Sequence, residues 1–254
     1  CHESIFEKFK QTVHYRINKF ETHGIPVGCE SCHGPGSRHV ESKGNPQLII
    51  DFSHLSSARS SSACLRCHKR WPFYLWRENI HAVNNIGCLN CHASHGKKSR
   101  NMLFKKDPAL CFECHPKNKV QSMFPSHHPI IEGKMNCSSC HNIHSSNNTC
   151  LQEDTVNQLC LKCHWEYEGP FVFEHDPVVE SCTLCHDVHG SPNNNLLNQS
   201  EPFICLRCHR GHRDKDLPYD HPPGANFMEK CTHCHDQVHG SDMPSQMGGR
   251  GLTR

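Results

Sequence analysis

Nine copies of one five-residue motif, a low apolar content and a repeat of nearly fifty residues together predict the fold class. The chain should be mostly irregular with short α-helices, folded around bound cofactors. The motif is Cys-x-x-Cys-His, and its copies start at Cys29, Cys64, Cys88, Cys111, Cys137, Cys160, Cys182, Cys205 and Cys231. Hydrophobic residues make up only 35 % of the 254, a figure that includes the cysteines. So few apolar side chains cannot offset chain entropy alone, and without cofactors the composition would approach that of a disordered chain.

Cys-x-x-Cys-His is the signature of covalent c-type haem attachment. Each motif supplies two thioether cysteines, the second ones being Cys32, Cys67, Cys91, Cys114, Cys140, Cys163, Cys185, Cys208 and Cys234. The histidine that follows is the proximal iron ligand: His33, His68, His92, His115, His141, His164, His186, His209 and His235. These pairs use 18 of the 20 cysteines and leave Cys1 and Cys150. Cys1-His2 reads as the second half of a tenth motif, with a bare chain start or a lipid-modified cysteine as the alternatives. Paired Cys-x-x-Cys could also hold tetrahedral zinc, but zinc ribbons require no histidine after every second cysteine. A disulfide scaffold would show irregular spacing. The expected class is therefore a multihaem cytochrome c, with ten haems forming the core.

From Cys64 a composite unit repeats to the C-terminus. It holds a first motif, a lone histidine 11 to 13 residues past the proximal one, and a second motif with a trailing histidine. The copies start 45 to 49 residues apart, at Cys64, Cys111, Cys160 and Cys205. Residues 1–63 form a looser version. The expected organisation is one continuous, elongated domain, an extended row of five two-haem modules: 1–63, 64–110, 111–159, 160–204 and 205–254. Short helices are expected at Ser4 to Phe20 and around each motif, with prolines interrupting them. No convincing strands are expected. Gly34 to His39 reads as a tight turn presenting His39. Gly44 to Ser62, with His54 and a serine-rich tail, reads as the most mobile loop.

A proximal histidine blocks one side of its iron, and a trailing histidine three residues on cannot reach the other side. Such a residue, His189 for example, should ligate a neighbouring haem. Ten proximal histidines out of 25 leave 15 for ten distal positions. Repeat position favours His14, His39, His81, His95, His128, His144, His175, His189 and His239. His54, His212 and His221 compete for what remains, and His54 is also an alternative to His39. His23, His127 and His233 read as surface histidines. The six methionines do not recur with the repeat, so bis-histidine ligation is expected, with lower potentials than a His/Met pair gives. Cys150 reads as a free thiol.

The formal charge of +2 omits two propionates per haem, so the loaded protein should be acidic unless Lys and Arg pair with them. Basic residues are scattered, which argues against a nucleic-acid partner. No apolar run approaches the roughly 20 residues of a spanning helix. A signal peptide would be removed on export. Because c-type haem is attached after export, the expected compartment is the bacterial periplasm or beyond. The tail from Gly240 to Arg254 carries no haem ligand and reads as a docking segment or a disordered terminus.

Gly28-Cys-Glu-Ser-Cys-His-Gly-Pro, Gly169-Pro-Phe-Val-Phe-Glu-His175-Asp-Pro-Val, Cys185-His-Asp-Val-His-Gly and Gln237-Val-His239-Gly-Ser carry a resemblance. In these stretches the chain resembles the MtrA/DmsE/PioA family of periplasmic decahaem cytochromes, and the resemblance covers essentially the whole chain. It implies a haem wire inserted into an outer-membrane β-barrel porin of a Gram-negative bacterium. That wire would connect periplasmic electron-donor cytochromes to an extracellular multihaem cytochrome or reductase. A barrel would also shield an irregular backbone from lipid. The resemblance points to Gly211-His212 for the last distal ligand, whereas the internal repeat points to His221.

The expected function is electron transfer without substrate chemistry. Two other classes remain in view. A multihaem oxyanion reductase would need an iron with an open distal site, which the histidine surplus argues against. A filament-forming extracellular cytochrome would share distal histidines between subunits.

Overall fold

The computed structural model describes residues 2–17, 27–70, 72–96, 101–146, 150–209, 230–233 and 235–244. Among them lie eleven short α-helices interspersed with 3-10 turns, and no strand beyond isolated bridges. The longest helix has nine residues, and no helix among the described residues is long and apolar enough to cross a membrane. Contacts group the chain into two units, 1–114 with 141–150, and 115–140 with 151–254.

Among the described residues, the buried hydrophobic side chains are Trp76 and Cys150, while Thr12, Ser60, Ser61, Asn79, Ser122 and Ser191 are buried polar ones. Chains of this size ordinarily bury a sizeable hydrocarbon core. Recurring local hydrogen bonds surround the motifs.

In the first unit, helices α1 (Glu3–Phe9) and α2 (Val13–Arg16) occupy the segment expected to be helical. They are separate because Thr12 N-caps α2, its hydroxyl accepting from the Tyr15 N–H. Helix α3 (Cys29–His33) is the first motif, and α4 (Ser37–Glu41) carries His39. The expected tight turn is thus a turn plus a helix: Gly34 sits at φ +77° and the Gly36 N–H donates to Glu30 at 2.7 Å. The serine-rich tail departs from the expected loop, since residues 57–65 form α5 (Ser57–Leu65). Ser56 caps it, and Ser60 and Ser61 are buried along it. Serine favours caps and local backbone bonds, so its density hid a helix. Helices α6 (Ile80–Val83) and α7 (Cys88–Cys91) follow. The second unit carries α8 (Pro116–Gln121), α9 (Val156–Leu161), α10 (Asp176–Glu180) and α11 (Phe203–Leu206).

A backbone clasp recurs after the second motif of a repeat. Ala93 N–H donates to Met102 O and Phe104 N–H to Cys91 O, and Asp187 and Asn198 repeat both bonds with Leu196 O and Cys185 O, all at 2.7–3.0 Å. Met102 and Leu196 adopt left-handed φ of 52° and 56°. Cys150, at φ 50°, takes the same place for Asn142. It fills that slot as a small apolar residue.

Where the trailing histidines His189 and His239 are followed by glycine, the reason is steric. Gly190 (φ +139°) presses so close that an added Cβ would lie 1.9 Å from the Gln121 carbonyl oxygen. At Gly240 (φ +128°) a Cβ would lie 2.2 Å from the Phe171 ring. The fixed backbone at these glycines aims the histidine before them.

Candidate haem-binding sites

Each motif is one turn of helix. The proximal histidine N–H bonds the carbonyl of the first cysteine four residues back at 2.9–3.0 Å, for His68, His92, His164, His186, His209 and His235. Positions i, i+3 and i+4 then share one face, which places two thiols and an imidazole on the same side.

The first motif of a repeat is fastened to the second by a polar side chain just ahead of it. Ser61 Oγ accepts from Cys88 N–H at 3.2 Å, Asn157 Oδ1 from Cys182 N–H at 2.9 Å, and the Glu201 carboxylate from Thr232 N–H at 2.9 Å. In consequence the first cysteines of the two motifs touch. Cys64 and Cys88 are hydrogen-bonded, which draws Cys88 down to about 6 and pushes Cys64 up. Cys160 is pushed up to about 11 by burial and by Cys182 beside it, and Cys205 to about 12 by burial and Cys231.

Between repeats the influence is electrostatic: burial raises Cys32, Cys91, Cys140 and Cys185, and each is raised further by cysteines of the next repeat, Cys32 by Cys67, Cys91 by Cys111 and Cys114, Cys140 by Cys163 and Cys185 by Cys208. Arginine fastens two of these junctions, Arg66 donating to Ser31 O at 2.7 Å and Arg207 to Leu184 O at 3.3 Å. In three repeats the first cysteines of the two motifs thus meet directly.

The histidines form pairs. Ring centres lie 6.3 Å apart for His2 and His39, 5.7 Å for His33 and His95, 6.1 Å for His14 and His68, and 6.1 Å for His92 and His144. In the second unit the pairs are His128 with His164 at 6.3 Å, His175 with His209 at 6.0 Å, and His186 with His239 at 6.1 Å. A metal bonded at about 2.0 Å to a nitrogen on each side, with roughly 1.1 Å more to each ring centre, separates the centres by about 6.2 Å. The residues thus fit an iron held between two imidazoles. Every pair joins a proximal histidine to one of the proposed distal set. Six of the seven join neighbouring repeats, and only His2 with His39 lies within one.

The protonation pattern agrees with ligation through Nε2. Nδ1 lies 2.7–2.9 Å from a backbone carbonyl in His33 (Ile50), His39 (Asn45), His92 (Asn101), His128 (Val188), His175 (Val238) and His186 (Asn195). An Nδ1–H donated to a carbonyl fixes the tautomer and leaves the Nε2 lone pair free. Burial, together with a neighbouring imidazole, lowers His14, His95 and His239 and brings His144 down to about 4, so these rings are neutral.

Other histidines are differently placed. Both nitrogens of His127 are engaged, by Phe124 O and by Glu132 at 2.9 Å. His54 is 85 % exposed beside Asp51. His81 Nδ1 lies 3.2 Å from Asn79 Oδ1. Cys1, Cys234, His23, His212, His221, the loop at 214–229 and the tail from 245 lie outside the described residues.

The model of a doubled CXXCH motif matches residues 81–120, 127–169 and 175–214. Over 96 % of its length the chain is 34 % identical to the multihaem cytochrome MtrA of Shewanella baltica, covering 78 % of that protein. The chain belongs to the MtrA family of multihaem c-type cytochromes. It is also 24 % identical, over 66 % of its length, to the C-type polyhaem cytochrome OmcB of Geobacter sulfurreducens, of which it spans 25 %. As an MtrA-family protein it binds haem c and transfers electrons. The polar fasteners Ser61, Asn157, Glu201, Arg66 and Arg207 escaped the sequence reading. One signal did exist: arginine fills the position before the second cysteine in both Cys64-Leu-Arg-Cys and Cys205-Leu-Arg-Cys.

Proposed function

We propose that this MtrA-family chain is a decahaem wire that carries electrons across the outer membrane inside a β-barrel porin. It would link periplasmic donor cytochromes to an extracellular multihaem cytochrome or reductase. The observation that carries this reading is the direct approach of the first cysteines of paired motifs, Cys64 to Cys88, Cys160 to Cys182 and Cys205 to Cys231, which would bring haems attached there edge to edge. Haem, when bound, supplies the one-electron couple; the chain supplies spacing, ligation and exclusion of competing chemistry.

The proposed proximal ligands are the ten motif histidines from His2 to His235. Ring pairing supports His14, His39, His95, His128, His144, His175 and His239 as distal ligands. Repeat position adds His81 and His189, and the last place falls to His212 or His221. His54, whose ring lies at the surface, is left without a ligand role. With an imidazole on both faces of each iron no position is open to a substrate, so the protein performs no chemistry beyond electron transfer. The five repeats serve as two-haem modules, each closed by its neighbours.

Haem quantification with electron paramagnetic resonance tests the ligand set, with ten low-spin haems per chain as the expected result. Reconstitution into sealed liposomes tests the conduit. Reduction of an enclosed acceptor by an external donor should require both this chain and a partner barrel, and transfer by the barrel alone would overturn the reading.

A further inference from the structure

In two repeats an aromatic ring stands between the paired histidines of the two motifs. Phe73 follows the first motif of repeat 64–110. Its ring centre lies 5.4 Å from that of His68, in edge contact, and 4.8 Å from that of His144. His68 pairs with His14, and His144 with His92. Tyr167 follows the first motif of repeat 160–204 and lies 6.4 Å from His164 and 4.3 Å from His239. Those two histidines pair with His128 and His186. Each aromatic ring therefore meets one imidazole of each pair.

The local fold holds each wedge in place. The rings sit on 3-10 turns, Phe73–Glu78 and Trp165–Tyr167, that follow the proximal histidine. Side chains three residues apart eclipse on such a turn, so Phe73 and the buried Trp76 both meet His144, Trp76 at 5.9 Å. Asn79 ends the turn and is 0 % exposed. Its amide donates to Ile143 O at 2.9 Å and to Ser145 O, the carbonyls on either side of His144. In the second unit the chain after Tyr167 grips both sides of His239. His175 Nδ1 bonds Val238 O at 2.9 Å, and Phe173 N–H donates to Ser241 O at 2.8 Å.

The planes of the paired imidazoles differ where the wedge is present. His14 and His68 are inclined at 78°, and His128 and His164 at 58°. The other described pairs on a first motif, His2 with His39 and His209 with His175, lie at 19° and 27°. Across the wedge, the second-motif pairs His92 with His144 and His186 with His239 lie at 22° and 18°. A ligated imidazole keeps only rotation about its metal bond, so its outer neighbours set its plane. Parallel planes split the iron d orbitals that conjugate with the rings and stabilise the oxidised iron, whereas crossed planes leave those orbitals nearly equal. We propose that Phe73 and Tyr167 are positioning residues that fix these planes, crossed on the first motif and parallel on the second, and so make the two haems of a repeat electronically unlike. The inference rests on the paired histidines being axial ligands. By this effect the haems of His68 and His164 run more positive than those of His92 and His186.

The test is electron paramagnetic resonance with redox titration of the full haem-loaded protein. The unsubstituted protein should show at least two strongly anisotropic low-spin signals, the mark of crossed imidazoles, and their absence would overturn the proposal. Phe73→Leu and Tyr167→Leu should each remove one such signal, shift one rhombic signal and move the crossed haem to more negative potential, with haem count unchanged. Tyr167→Phe, which keeps the ring, should retain both signals. Loaded, low-spin leucine variants with unchanged signals and potentials would overturn the proposal and leave both rings as packing residues. If one leucine variant fails to assemble, the other repeat decides on the same criterion. His144→Ala checks the ligand reading separately. A new high-spin haem there supports that reading, whereas an unchanged low-spin spectrum would remove it and the inference with it.

Discussion

His239 trails His235 by four residues, yet its ring lies 6.1 Å from that of His186, within 18° of parallel. The ring pair thus bridges two repeats. His239→Ala should leave one iron open at the His186 position, seen as one high-spin haem per chain, and added imidazole should restore the low-spin signal. An all-low-spin variant would show that His239 is not a ligand.

His186→Met exchanges an imidazole for a thioether, which raises haem potential. One potential in the wire should rise and end-to-end transfer should slow, while assembly and haem count are preserved. Unchanged transfer would mean that electrons do not pass through this haem in single file.

Gly190→Ala places a methyl group within 1.9 Å of the Gln121 carbonyl at φ +139°. The expected cost is ~2–4 kcal/mol from strain and overpacking. Gly133→Ala, at φ +73° with open space around it, should cost ~1 kcal/mol from backbone strain alone. Thermal melts of the two variants give the comparison, and equal losses would contradict the close approach.

His127→Gln should leave haem content and low-spin spectra unchanged, because both ring nitrogens are engaged by Phe124 and Glu132. His128→Ala, by contrast, should open the iron of His164. Spectra of the two variants side by side distinguish these adjacent residues.

Attachment motifs, repeat length and the histidines whose rings pair were legible in the sequence, because covalent haem binding imposes fixed residue types at fixed spacing. The direction in which rings pair between repeats was not. Offsets such as His81 after His68 are the same whether a histidine closes its own repeat or the next. Helix α5 was hidden because serine disfavours helix interiors on average, and only the contact between Ser61 and Cys88 shows what those serines do. His39 was legible as a ligand candidate but not as a helical residue, since its helix is only five residues long. Asn79 left no trace beyond a helix-cap pattern, because its partners lie 64 to 71 residues away.

The pairing of histidines between adjacent repeats governs how the chain could be cut. His209 faces His175 from the preceding repeat, while His239 returns to face His186. Severing the protein between these repeats would not yield a shorter wire and a spare module. It would strip one axial ligand from an iron on each side of the break, so each fragment would end in a reactive, oxygen-accessible haem. With the proposed ligands, shortening or lengthening the chain by whole repeats would require splicing at matched histidine donors, so that both pairings are preserved.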